Sequence, residues 1–206
     1  MAMEATHVLF AKNLKPRLNV QNEPAFFAGS IYPDSRYLTG LPRQKTHGLK
    51  RLQNPFSLDL SDFEKGWATH ILYDQISGTY LREIISGNPD TSNQALITMT
   101  AMKLLEDQAS YKKIIDPNII FQTMEIPKCP CKESKEKLEM YYHLNEQLYY
   151  TSPNIEAYQY FFEKLMPSKT YVDQVIDEAN QISKNSRLKL EVLQIYNQVI
   201  NNPLLI

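Results

Sequence analysis

The sequence contains no run approaching the ~18 apolar residues of a membrane-spanning helix, so nothing in it is built to cross a bilayer in that way. It has no excess of one charge. Twenty-two Lys+Arg stand against 23 Asp+Glu, a net charge of −1, which gives no strong nucleic-acid or membrane signal because there is no global basic field. Cysteine is scarce: Cys129 and Cys131 are the only two, and they flank Pro130. One intervening residue is poor spacing for a disulfide or a structural zinc knuckle, so two reduced cysteines in a loop are expected. Glu4 and His7 stand where a signal peptide would need an apolar run, and a reducing, cytoplasmic setting is the expectation. Glycine is scarce too, at 6 residues, while 12 prolines act as punctuation.

Against these absences stands an ordinary globular composition, 43% hydrophobic and 22% charged, with 13 Tyr and 8 Phe. A chain of 206 residues buries roughly 70% of its unfolded surface, enough for a core that needs no disulfide staples. The helical period recurs along the chain and strand alternation does not persist. One all-α domain is expected over residues 1–206, a compact bundle of roughly seven or eight helices. Residues 1–85 form the candidate metal-site half and 86–206 the helical remainder. Oligomeric state is not legible.

Helices are expected over 4–12 and over 22–29, with Pro24 in the first turn of the second. Residues 30–60 read as a long irregular loop punctuated by Pro33, Gly40, Pro42, Gly48 and Pro55, and long ordered loops are often functional. Ser61 and Glu64 form a capping box opening a helix to Ser77, stopped by Gly78; a short helix over 79–86 ends at Gly87-Asn88-Pro89. Further helices are expected over 91–115, 134–150, from Ser152-Pro153 to Pro167, 170–182 and 187–200. In the last, Leu188, Val192, Ile195, Tyr196 and Val199 share an apolar stripe.

Histidine occurs four times, at 7, 47, 70 and 143. His70 and Asp74 lie at i and i+4, which places imidazole and carboxylate on one helix face. Phe63, Trp67, Ala68, Ile71 and Leu72 surround them, so the helix is largely buried and its polar side chains need partners. The pair either chelates a divalent metal or forms a hydrogen-bonded core pair. Asp34 follows Pro33 in a tight turn, where it caps its own backbone or serves as a ligand. His47 in its loop and His7 before Val8-Leu9-Phe10 have similar bland alternatives. Arg36, Arg43 and Lys45 share that loop, and either meet a phosphate as substrate-binding groups or are solvated. Glu106-Asp107 is a surface pair or the hydrogen-bonding support of a ligand histidine.

The segments Pro24-Ala-Phe-Phe-Ala-Gly-Ser-Ile-Tyr-Pro-Asp34, Thr46-His47 and Phe63-Glu-Lys-Gly-Trp-Ala-Thr-His70-Ile-Leu-Tyr-Asp74 follow His7 in that order. Together they resemble the zinc-dependent phospholipase C family, whose fold the fungal nucleases that cleave single-stranded DNA also share. The resemblance implies a metal-dependent hydrolase acting on a small phosphorylated or phosphodiester substrate. It implies that Asp34, His47, His70 and Asp74 hold one divalent ion, zinc first, with iron or manganese as alternatives. It implies a second ion at His7, bridged by Asp74, and a catalytic general-base role for Asp34. Departures accompany it. The secreted phospholipases use their mature N-terminal amine as a ligand, and here the chain starts six residues before His7, so that ligand is expected to be absent or replaced. A further family site lacks its histidine near Tyr80-Leu81-Arg82, and His143 and Glu146 match its last two ligands only with altered spacing, a weak metal pair at most. Two other readings stand beside this one: a degenerate, non-catalytic helical module that binds metal or a protein partner, and an HD-type phosphohydrolase. The second is disfavoured because no histidine here is followed directly by aspartate.

Overall fold

A helix begins where a side chain accepts one of its first free N–H groups, and this chain supplies such a side chain repeatedly. In the computed structural model, which describes residues 3–85 and 93–205, Asn22 accepts from Ala25 N and opens α2 (Glu23–Ile31). The Ser61/Glu64 capping box is formed in both directions, Ser61 N to Glu64 Oε2 at 3.0 Å and Glu64 N to Ser61 Oγ at 3.3 Å, and opens α5 (Asp62–Ile85). Ser134, Asn154, Ser168 and Asn185 do the same for α8 (Lys135–Tyr149), α9 (Ile155–Leu165), α10 (Lys169–Lys184) and α11 (Ser186–Ile200). The other helices are α1 (Glu4–Leu14), α3 (Arg36–Thr39), α4 (Arg43–His47), α6 (Asn93–Tyr111) and α7 (Pro117–Gln122).

The described residues are helical, turn and loop, with no strand, and no described helix is long and apolar enough to cross a membrane. Several details differ from expectation. The helices outnumber the expected seven or eight because α3 and α4 are short segments within a stretch that reads as loop, and α7 is a short helix in a stretch for which no helix is expected. Gly78 does not stop α5, which continues to Ile85. A glycine commonly closes a helix in the left-handed conformation, and among the described residues Gly40 adopts it, at φ 77°, closing α3. The helix expected from Ser152-Pro153 begins later, at Ile155, because Asn154 is the residue whose side chain caps it. The expected stop at Gly87-Asn88-Pro89 and residues 91 and 92 lie outside the described residues.

The core gathers around α5. Its closest neighbour is α2, and the crossing is set by two glycines. A Cβ on Gly66 would come within 1.9 Å of Phe26 O, and one on Gly29 within 2.0 Å of Phe63 O. The two backbones therefore touch, which any side chain would prevent. Helix α1 lies against α2, α5 and α6 and is buried on nearly all sides, Glu4, Thr6 and His7 included. Thr6 finds partners on α6 and Glu4 on α8, while His7 turns toward α5.

Candidate metal centre

His70 leaves α5 toward α1, α2 and α4. Its Nδ1–H donates to Ser30 O at 2.8 Å, a contact available because Gly29 and Gly66 let α2 approach so closely. That hydrogen bond leaves the Nε2 lone pair turned to the interior. Asp34 is delivered by a 3-10 turn, Tyr32–Ser35, directly after α2. His47 ends α4, which is clamped to α5 by the indole N–H of Trp67 donating to Thr46 O at 2.6 Å. The Thr46 hydroxyl donates to Arg43 O at 3.3 Å and lies 2.8 Å from His47 Nδ1. Thr46 therefore accepts from Nδ1–H, and Nε2 is again the free nitrogen. Backbone carbonyls and hydroxyls that fix an imidazole through its other nitrogen are the usual support of metal-ligating histidines.

Around Asp74 the donors converge. Asp74 Oδ2 lies 3.4 Å from His47 Nε2 and 4.0 Å from His70 Nε2. Asp34 Oδ2 lies 3.9 Å from His70 Nε2, and Asp34, His47 and His70 each place a ligand atom within 4.8 Å of the others. The edge of a tetrahedron with metal–ligand bonds of about 2.0–2.1 Å is about 3.4 Å, so this set is of the right size to close on an ion. His7 completes the cluster from α1. Its ring stacks on His70 at 3.6 Å and its Nε2 lies 3.9 Å from Asp74 Oδ1.

The decisive observation is what these atoms lack. Both nitrogens of His7, both oxygens of Asp34, His47 Nε2, His70 Nε2 and Asp74 Oδ1 are buried with no hydrogen-bond partner. Buried polar atoms are nearly always satisfied, and a cation between Asp34, His47 and His70 would satisfy Nε2 of both histidines and one oxygen of Asp34. The electrostatics agree. Burial holds His7 and His47 below the ordinary imidazole range, and His70 down to about 4, so the rings are neutral, the form that ligates metal. Burial opposes ionisation of Asp74, but Lys103 and His47 outweigh it and hold the carboxyl well below its usual range. Burial pushes the Asp34 carboxyl up. The donor set, two carboxylates and neutral imidazoles, suits zinc, iron or manganese.

Not every candidate residue joins the cluster. Arg43 does: its Nη2 donates to Asp74 Oδ2 at 3.4 Å while the side chain stays half-exposed at the rim. Arg36 turns away, stacking on the Tyr37 ring and bonding its hydroxyl. Lys45 lines a separate cavity of about 510 Å3 with Arg51, Trp67 and Lys132, to which none of the clustered donors contributes. His143 and Glu146 pair at 3.5 Å on the exposed face of α8 and belong to neither group of clustered donors. Glu106 and Asp107 are buried rather than superficial, and they support tyrosines instead of a ligand histidine. Tyr73 donates to Glu106, and Tyr149 and Tyr158 donate to Asp107, which also accepts from Thr6 N.

One member of the centre escaped the sequence reading. Lys103, on α6, is nearly buried and reaches Asp74 Oδ1 at 3.7 Å. Its signal is visible in retrospect, because Thr100, Lys103 and Asp107 share one face of a helix whose buried residues include Ile97, Ala101 and Leu104. Comparison of the chain with protein-family models, with curated proteins and with solved structures finds no match.

Proposed function

We propose that this chain is a metal-dependent hydrolase acting on a phosphate ester, related to the zinc-dependent phospholipase C family. The observation that carries the proposal is the set of buried, unpartnered donor atoms on Asp34, His47 and His70, with Asp74 Oδ2 beside both histidines. A divalent ion held by these residues would supply a Lewis acid and a water acidic enough to ionise near neutrality. The protein's own groups do the rest. Asp34 keeps Oδ1 free when Oδ2 faces His70, and that carboxylate, whose proton affinity burial raises, would be placed to accept a proton as general base. Arg43, at the rim beside Asp74, binds the anionic ester through its guanidinium fork.

The test is elemental analysis of the untagged protein and of Asp74→Ala, followed by a screen of chromogenic phosphodiesters and monoesters. The expected result is bound zinc, iron or manganese with turnover, both lost in Asp74→Ala. Folded protein that is metal-free and takes up no added zinc would overturn the proposal.

A second reading is favoured by the near-complete enclosure of the donors, whose side chains are 0–7% exposed. In that reading the ion is structural and the chain is a non-catalytic module. Chelation separates the two. A structural ion takes the fold with it when removed, whereas a catalytic one leaves a folded, inactive protein.

A further inference from the structure

The geometry points to Lys103 standing where a second cation would sit, so that the centre holds one metal ion rather than two. This rests on the proposed metal centre and refines it. The two oxygens of Asp74 face different surroundings. Oδ2 looks toward His47 and His70 at 3.4 and 4.0 Å, the two histidines that also cluster with Asp34. Oδ1 looks toward His7 Nε2 at 3.9 Å and Lys103 Nζ at 3.7 Å.

Among the described residues, the ligands on the Oδ1 side do not add up to a second site. His70 has only Nε2 to give, because Nδ1 is bound to Ser30 O. If Nε2 serves the first ion, the donors His7, His70 and Asp74 that also cluster within 4.8 Å reduce to His7 and one oxygen of Asp74. Beside that same oxygen the chain places a nearly buried ammonium. A fixed positive charge beside Oδ1 repels a second divalent ion, and it neutralises the carboxylate charge that such an ion would otherwise balance. Lysine is a compact point charge with donors only, so it can replace the charge of a cation but cannot ligate one.

The experiment is zinc stoichiometry by elemental analysis after dialysis against buffered zinc, for the wild-type chain, Lys103→Glu, Lys103→Arg and Lys103→Glu/His7→Ala, with circular dichroism on each. One equivalent is expected in the wild type and in Lys103→Arg. Two are expected in Lys103→Glu, where a carboxylate replaces the ammonium, and one again when His7 is also removed. Lys103→His, which also brings a ligand without a fixed charge, is the substitute if the glutamate variant does not fold. Two equivalents in the wild type, or in Lys103→Arg, would overturn the inference while leaving the metal centre standing. No bound zinc at all would overturn both. A folded Lys103→Glu that stays at one equivalent would overturn the role given to Lys103.

Discussion

Asp74 is the residue on which the centre's charge turns, since Arg43 and Lys103 approach it from opposite sides while burial opposes its ionisation. Removing its charge leaves Lys103 buried and unpaired, and breaking a buried pair from one side is strongly destabilising. Asp74→Asn is expected to lower stability in metal-free buffer by about 3 kcal/mol, and Asp74→Asn/Lys103→Met to recover much of it, measured by urea unfolding as a double-mutant cycle. Glu106 makes a second residue-scale prediction. Burial raises its carboxyl from 4.5 to about 7, so the folded state binds a proton more tightly than the unfolded chain. The stability from this group is complete below about pH 4.5 and is lost as pH rises through about 7. Relative to wild type, Glu106→Gln should therefore gain stability between those limits, by at most on the order of 3 kcal/mol, and the gain should level off above them. A pH-independent difference between the two proteins would remove Glu106 as the titrating group. The residues of the site differ in how far the sequence reveals them. His70 and Asp74 are legible because their spacing alone puts them on one face. His7, Asp34 and His47 are legible only as a set, and Lys103 is not legible until α6 is seen to turn it inward.

At the scale of elements, the α2–α5 crossing positions Ser30, His70 and, one turn on, Asp34. Gly66→Ala drives a Cβ against the Phe26 carbonyl, and backbone cannot swing aside as a side chain can. A loss of about 3 kcal/mol or more is expected, together with weakened zinc binding as Ser30 O withdraws from His70; Gly29→Ala should behave alike. Gly78 is the contrast. Its nearest neighbour would be the flexible end of Arg82 at 3.4 Å, so Gly78→Ala should raise stability by about 0.5–1 kcal/mol, read as a higher melting temperature. The three substitutions look equivalent in the sequence. What separates them is the approach of a distant backbone, which no local pattern encodes. By the same logic, caps and long apolar periods were readable, and α6, α8, α10 and α11 lie close to their expected spans. The stretch 30–60 was not, because α3 and α4 are too short to show a period and are held by tertiary contacts such as Trp67 to Thr46.

For the whole molecule, the centre collects side chains from four separate parts of the first half, α1, the turn after α2, α4 and α5, and meets α6 through Lys103. An ion bound there stabilises every element that contributes a ligand. With free zinc at about 1,000 times its dissociation constant, the folded state gains about 4 kcal/mol, or on the order of 10 °C in melting temperature for a chain of this size. Thermal unfolding with and without a chelator is the measurement, and His70→Ala should abolish the difference.

Trp67 is the only tryptophan in the chain, it is 2% exposed, and its indole N–H is bonded to the carbonyl of the residue before His47. Its fluorescence therefore comes from a single, water-shielded position one peptide unit from a proposed ligand. Any event that shifts α4, whether loading of the ion or arrival of a substrate, changes the field at that ring and the colour or intensity of its emission. The molecule carries its own optical gauge, and titrating zinc while watching Trp67 would follow occupancy of the centre without label or tag.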